Sequence, residues 1–288
     1  MDEPGLLVID KPAGMTSHQV VGRVRRIFGT RKVGHAGTLD PMATGVLIVG
    51  LNRATRLLGH LALHDKAYRA TIRLGEATTT DDAEGEPLAG ADASRLDRAA
   101  IEGALVALRG QILQRPSTVS AIKVDGKRAY ARARSGEDVV LAPRPVTVSR
   151  FDVMALRFEG RFCDADVEVE CSSGTYVRAL ARDLGDALGV GGHLTMLRRT
   201  RIGRFTQADA VELDTLAAST QLMTMAEAAS LSFPCIRVDA AAARDVSYGR
   251  ALAVEVRSDP TGIIGPDGTL LALYRREGPG ARPVAVFV

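Results

Sequence analysis

Apolar and polar positions along this chain change period several times, and each change marks an element. Leu6-Leu7-Val8-Ile9 is a short unbroken apolar run closed by Asp10-Lys11-Pro12, the signature of a buried strand. Thr16 or Ser17 then caps a helix in which Val20, Val21, Val24, Ile27 and Phe28 recur at helical spacing, with Gly29 at its end. Residues 34–41, Gly-His-Ala-Gly-Thr-Leu-Asp-Pro, read as a loop, and Gly45 opens a strand over 46–49. Tyr68, Ala70, Ile72 and Leu74 alternate with Ala67, Arg69, Thr71 and Arg73, the period of a half-buried strand.

Beyond this strand an acidic stretch rich in Thr, Asp and Gly reads as loop, and residues 96–108 are expected to form a helix. From Gln114 to Pro145 the pattern is irregular and basic, as in an exposed excursion. Ala165, Val167, Val169 and Cys171 alternate with Asp164, Asp166, Glu168 and Glu170, which predicts another strand. Ser172-Ser173-Gly174 closes it, and a helix is expected from Thr175, with Val177, Leu180, Ala181, Leu184 and Leu188 as its apolar stripe. After Ala217 strong signals fade. The tail from about Ser232 shows short β-like runs (251–256, 270–274, 284–288) divided by Gly, Pro and Asp turns. The expected class is α+β, mainly antiparallel sheet flanked by helices, with a small β-rich C-terminal domain.

Composition narrows the class of molecule. The 288 residues are 46% hydrophobic and 25% charged, which suits a packed globule of one or two domains and excludes wholesale disorder. No apolar run reaches the roughly 18 residues of a membrane span, and the acidic start, Met1-Asp2-Glu3, is unlike a signal peptide, so a cytoplasmic protein is expected. Three cysteines, Cys163, Cys171 and Cys235, without a Cys-x-x-Cys pair point to neither a disulfide framework nor structural zinc.

The net charge of +3 conceals local asymmetry. Residues 76–102 have a balance of −6, whereas 1–60 and 120–150 each have +4, and Arg198, Arg199, Arg201 and Arg204 follow one another without an acid. Separate basic stretches suit a polyanion as well as plain solvation. With 4% aromatic residues and no Trp, an extended single-strand stacking platform is disfavoured.

Few residues stand out for chemistry. In residues 34–50 the glycines permit a sharp turn, and Pro41 drives Asp40 out of the helical region, so its carboxylate is presented as a nucleophile or base; the same pattern also makes a plain Asp-Pro turn. No Lys-Ser/Thr follows to make a phosphate-binding P-loop. His35 offers a ring to stack or a proton to carry. His60 and His64 have metal-ligand spacing but no Glu after the first and no third ligand, so no metal is expected. Arg178, in the first turn of its expected helix, opposes the helix dipole and so asks for an anionic partner.

Five segments, taken together, resemble a known family. DKPAGMTSHQVV, GHAGTLDPMATGVLIVG, KAYRATIRLG, QRPSTVSAIKVDGKRAY and SSGTYVRALARDLG with LRRTRIGRF follow in the order found in the bacterial tRNA pseudouridine synthase B family, which acts on uridine 55 of the T loop. The resemblance covers about residues 6–205. It implies a pseudouridine-synthase fold over 1–230, with a basic thumb-like insertion near 115–144, and a PUA-like RNA-binding domain over 231–288.

The same resemblance implies roles. Asp40 becomes the catalytic nucleophile and Arg178 its ion-pair partner. Tyr68 stacks on the flipped-out uridine and counts with Asp40 and Arg178 as catalytic, its hydroxyl helping to remove the C5 proton; His35 enters the T loop, and Tyr176 and Leu197 line the base pocket. Lys11 holds the basic position of the first motif and belongs with the substrate-binding residues. Val119 departs from the aromatic residue many relatives carry there. The isomerisation involves no net oxidation or hydrolysis, so no cofactor is demanded; tRNA is the expected partner and a monomer the expected state. A non-catalytic tRNA-binding protein is the rival reading, and a glycoside hydrolase using Asp40 lacks a second-carboxylate motif.

Overall fold

The computed structural model describes residues 3–117, 141–256 and 258–288, with the backbone of 123–124 and 127–128. The expected thumb and Val119 therefore lie largely outside the described residues. The chain divides into two compact units, Met1–Leu63 with Arg201–Val288, and His64–Thr200.

In the first unit β1 (Gly5–Lys11) is an unbroken apolar run because both of its faces are covered. Leu7 and Ile9 join α1 (Ser17–Phe28) through Val20, Val21, Val24 and Phe28, while Leu6 and Val8 join a second cluster. Thr16 is the cap of α1, in a capping box with Gln19, and Gly29 ends the helix at φ +62°. The loop expected from Gly34 starts later, because β2 (Val33–Ala36) pairs antiparallel with β3 (Thr44–Leu51) and sets His35 opposite Val49. β1 pairs with the same β3 from Gly5↔Leu51 to Lys11↔Gly45. A one-turn α2 (Leu58–Leu61) adds Leu58 and Leu61 to the second cluster.

The second unit begins with β4 (Lys66–Leu74) and continues with α3 (Arg98–Leu105), extended by a 3-10 turn to Leu108, and β5 (Gly110–Gln114). The backbone pair β6 (Lys123–Val124) and β7 (Lys127–Arg128) precedes β8 (Arg144–Glu159), β9 (Phe162–Cys171) and α4 (Val177–Ala187). β10 (Gly192–Ile202) supplies residues 192–200, and the strand order is β10-β4-β9-β8-β5. The alternation read in β4 and β9 is real: Ala70, Ile72, Ala165, Val167 and Val169 are buried. On the other face Arg69 meets Glu168, Arg73 meets Asp164 and Arg157 meets Asp166.

β8 and β10 carry no clear strand period in the sequence, for different reasons. β8 carries two register shifts, between Val148 and Arg150 and between Val153 and Ala155, which break its period of two. β10 was masked by its arginines, yet Arg199 is only 1% exposed. That basic stretch is therefore not simply a solvated face.

The chain then returns to the first unit. β11 (Phe205–Thr206) pairs with Arg201 and Ile202, and β12 (Val211–Glu212) lies parallel to β1. Helix α5 (Met225–Ser232), β13 (Cys235–Arg237), α6 (Ala240–Ser247), β14 (Thr261–Ile264), β15 (Leu270–Glu277) and β16 (Gly280–Val286) follow. Their strands form a sheet ordered β13-β14-β15-β16. Two expectations change here. Residues 251–256 hold one bridge, Leu252 to Ala281, rather than a strand, and two eight-residue helices appear where no apolar period announced them. Their caps, Thr224 and Asp239, were the available signal. Ile264, Leu270, Leu273 and Phe287 share one apolar cluster with Leu6, Val8, Ile48 and Leu57. The α+β class holds, with a mainly antiparallel sheet and a β-rich C-terminal domain.

Candidate active site

The expected residues are distributed over both units: Lys11, His35 and Asp40 in the first, Tyr68, Tyr176, Arg178 and Leu197 in the second. In the first unit the chain between β2 and β3 forms a short irregular loop, with Gly37 at φ +87° within it and Gly45 at φ +100° near the start of β3. Asp40 is half-buried there. Its carbonyl accepts from the Ala43 N–H at 3.1 Å, and the next carbonyl, of Pro41, accepts from the Gly14 N–H at 2.9 Å and from Lys11 Nζ at 3.2 Å.

Lys11 is 0% exposed, and its ammonium donates also to the carbonyls of Pro12 and Met15 at 2.8 and 2.5 Å. A buried ammonium directed at three backbone carbonyls ties the turn after β1 to the Asp40 loop; it supports that loop from beneath. On the other side of Asp40, Ser17 bonds both backbone groups of Leu39. His35 projects from β2 and stands edge-on to exposed His18, with ring centroids 5.5 Å apart. Nothing in the sequence pattern marks His18, and Ser17 shows there only as a candidate helix cap.

In the second unit Tyr68 lies on β4 opposite Val169 and is 7% exposed. Leu197 is buried on β10, the neighbouring strand. Tyr176 is the N-cap residue of α4 rather than a member of its first turn, and Gln114 holds it from both sides. Gln114 Oε1 accepts from the Tyr176 N–H at 2.8 Å, and Gln114 Nε2 donates to the Tyr176 carbonyl at 3.0 Å. That clasp fixes the start of α4, and nothing in the spacing of Gln114 advertised it.

Arg178 follows two residues later and is 4% exposed, which rules out a surface arginine. The anion its helix position asked for includes Asp82: Arg178 Nη1 reaches Asp82 Oδ2 at 3.1 Å and the Thr80 carbonyl at 3.0 Å. One turn on, Arg182 pairs with Asp81 at 3.1 Å. The acidic loop is thus a built structure. Thr78 and Thr80 hydroxyls hold Asp82, the Leu194 N–H donates to the Asp81 carbonyl, and His193 contacts the Glu76 carbonyl through Nδ1 at 2.8 Å. Burial pushes the Asp81 carboxyl up, against the pull of the Ser117 hydroxyl and of Arg182 and Arg178. On β4, Lys66 is buried and lowered to about 8, first by burial and then by Arg199. Among the described residues no three His, Cys, Asp or Glu side chains gather as a metal site.

Family models match along the chain. One described as "TruB family pseudouridylate synthase (N terminal domain)" matches residues 25–177, and "tRNA pseudouridylate synthase B C-terminal domain" matches 178–237. Another, "tRNA Pseudouridine synthase II, C terminal", matches 233–288. The tRNA pseudouridine synthase B of Cutibacterium acnes is 62% identical, over 95% of this chain and 93% of its own length.

The chain belongs to the TruB family.

This TruB-family chain is an isomerase that forms pseudouridine. The tRNA pseudouridine synthase B of Thermobifida fusca is 55% identical over 98% of both chains. Among solved structures, the protein chain matched in a Cbf5-Nop10-Gar1 complex has a TM-score of 0.72 and 28% identity, covering 99% of this chain and 85% of its own. A chain in an H/ACA RNP bound to a substrate RNA containing 2′-deoxyuridine gives 0.71 and 26%, covering 99% and 85%.

Proposed function

We propose that this enzyme isomerises uridine 55 in the T loop of tRNA, with the Asp40 carboxylate as nucleophile on a flipped-out nucleotide. The observation that carries the reading is the Asp40 loop itself: a half-buried carboxylate on irregular backbone, tied by Ser17, Gly14 and Lys11. A nucleophile gains rate from such fixed placement, because orientation is settled before the substrate arrives.

The reaction breaks the N1–C1′ bond, turns the uracil, and joins C5 to C1′; C5 gives up a proton and N1 gains one. Asp40 forms its bond at C1′ or at C6. Arg178 is assigned the task of favouring the Asp40 anion, as a guanidinium beside a carboxylate does. Tyr68 offers a face to the extruded base, and base–aromatic stacking of ~1–3 kcal/mol is comparable with the few kcal/mol that extrusion costs. His35 enters the T loop, while Tyr176 and Leu197 line the pocket.

Phosphates are assigned to the basic stretches, of which α1 is the clearest. No acid occurs between Asp10 and Asp40, and His18, Arg25, Arg26, Arg31 and Lys32 are exposed. Such contacts orient RNA, and loop shape selects it. Residues 231–288 are assigned a PUA-like RNA-binding role beside a catalytic region over 1–230, and the protein is assigned to the cytoplasm as a monomer.

The test is incubation with an unmodified tRNA transcript and mapping of carbodiimide-resistant adducts. Product at uridine 55 with the wild type, none with Asp40→Asn, and retained tRNA binding by that variant supports the reading. Product only at other uridines, or product from Asp40→Asn, overturns the reading.

A further inference from the structure

Ser17 is the first residue of α1, lies 1% exposed, and spends its hydroxyl on one residue only a step from Asp40. Oγ accepts from the Leu39 N–H at 2.9 Å and donates to the Leu39 carbonyl at 3.1 Å. These two groups belong to different peptide planes, 38–39 and 39–40. One hydroxyl therefore fixes the planes on both sides of the Leu39 Cα, and with them the direction in which the chain delivers Asp40.

The need for such a device is local. Residues 37–43 lie in neither helix nor strand, so Leu39 has no ladder partner for its backbone groups. On the far side the Pro41 carbonyl is held by Gly14 and Lys11, and the Pro41 ring limits the backbone of Asp40. Asp40 thus sits between two tied residues. The tie at Leu39 depends on a side chain that is closed off from solvent.

We infer that Ser17 is a positioning residue for Asp40: its paired hydrogen bonds to Leu39 set the approach of the nucleophile and contribute to the chemical step rather than to RNA binding. This rests on Asp40 being the nucleophile. A displacement of the order of 1 Å at a reacting group costs roughly a hundredfold in rate. Ser17→Ala removes both bonds with almost no change in volume.

The experiment compares wild type, Ser17→Ala, Ser17→Cys and Asp40→Asn with tRNA transcript under single-turnover conditions, alongside tRNA affinity and hydrogen exchange at the Leu39 amide. Ser17→Ala is expected to react roughly ten- to hundredfold more slowly, to bind tRNA within about twofold of wild type, and to lose protection at Leu39. Ser17→Cys, which keeps a weak donor and acceptor, is expected to fall between the two. A wild-type rate for Ser17→Ala, or equal losses of rate and affinity, overturns the inference. Should Ser17→Ala fail to fold, Ser17→Cys carries the test on the same terms: slower chemistry at unchanged affinity supports the role, and an unchanged rate defeats it. An active Asp40→Asn defeats the nucleophile assignment itself, whereas an inactive Asp40→Asn beside a full-rate Ser17→Ala defeats only the role of Ser17.

Discussion

Arg178 and Asp82 meet at 3.1 Å with both side chains almost wholly buried, one at the start of α4 and the other in the acidic loop after β4. Neither charge is tolerable alone in that setting. Taking an ion out of water costs several kcal/mol, and the partner's proximity with added hydrogen bonds offsets it. Asp82→Asn leaves the guanidinium without this carboxylate and is expected to destabilise the protein by about 3–5 kcal/mol, the usual result of removing one partner of a buried pair. Urea denaturation of the two proteins measures it. A difference below about 1 kcal/mol, the range of exposed pairs, shows that the pair is dispensable to the fold.

Tyr68 leads to a second expectation, which turns on its ring rather than its hydroxyl. Because base stacking on an aromatic face is worth ~1–3 kcal/mol, Tyr68→Ala is expected to lower kcat/KM by roughly five- to more than a hundredfold, and Tyr68→Phe to retain the stacking part. Steady-state kinetics on tRNA transcript compares the two. Equal losses in both variants move the weight of the residue from the ring to the phenol oxygen. Tyr68 is only 7% exposed, so melting curves of both variants belong beside the kinetics.

The contrast between these two residues shows what the chain discloses on reading. Tyr68 was visible through the two-residue period of β4, because strand alternation is local and survives in one sequence. Asp40 and its loop stood out through Gly and Pro, which punctuate backbone locally as well. Arg178 announced its need for an anion through its place in a helix, but Asp82 is 96 residues away and sits among Thr, Asp and Gly that read as loop. Gln114, 62 residues from the Tyr176 backbone it clasps, has no periodic signature at all. Side-chain-to-backbone ties such as those of Lys11 and Ser17 depend on tertiary approach, which no local period encodes. The buried Arg199 makes the converse point: a charged residue in a run of charges reads as surface until the strand that holds it is seen.

The phosphate role proposed for the exposed arginines of α1 predicts an effect on affinity through counterion release. Neutralising one phosphate contributes close to one unit to the slope of log K against log salt. Arg25 also donates to the Val33 carbonyl at 3.0 Å, whereas Arg26 is exposed near the end of the helix. Arg26→Ala is therefore expected to weaken tRNA binding uniformly across tRNA sequences and to reduce the magnitude of the salt slope by about 1. Binding isotherms over a series of salt concentrations measure this, and an unchanged slope removes Arg26 from the phosphate-binding set.

Lys66 supplies a pH dependence of unusual sign. Burial and the neighbouring Arg199 bring its ammonium down from 10.5 to about 8 in the folded protein. Below pH 8 the folded state carries the full cost of the buried charge; between about 8 and 10.5 the unfolded chain binds more protons, so this group makes stability rise with pH. The gain is on the order of 3 kcal/mol when complete. Lys66→Met abolishes it, although the His64 carbonyl then loses the donor it has at 2.8 Å. Wild type is accordingly expected to gain on Lys66→Met as pH is raised from 8 toward 10, measured as the difference between their urea unfolding free energies. Parallel pH profiles show that the ammonium is not perturbed, and divergence in the opposite direction shows that the fold favours its charged form.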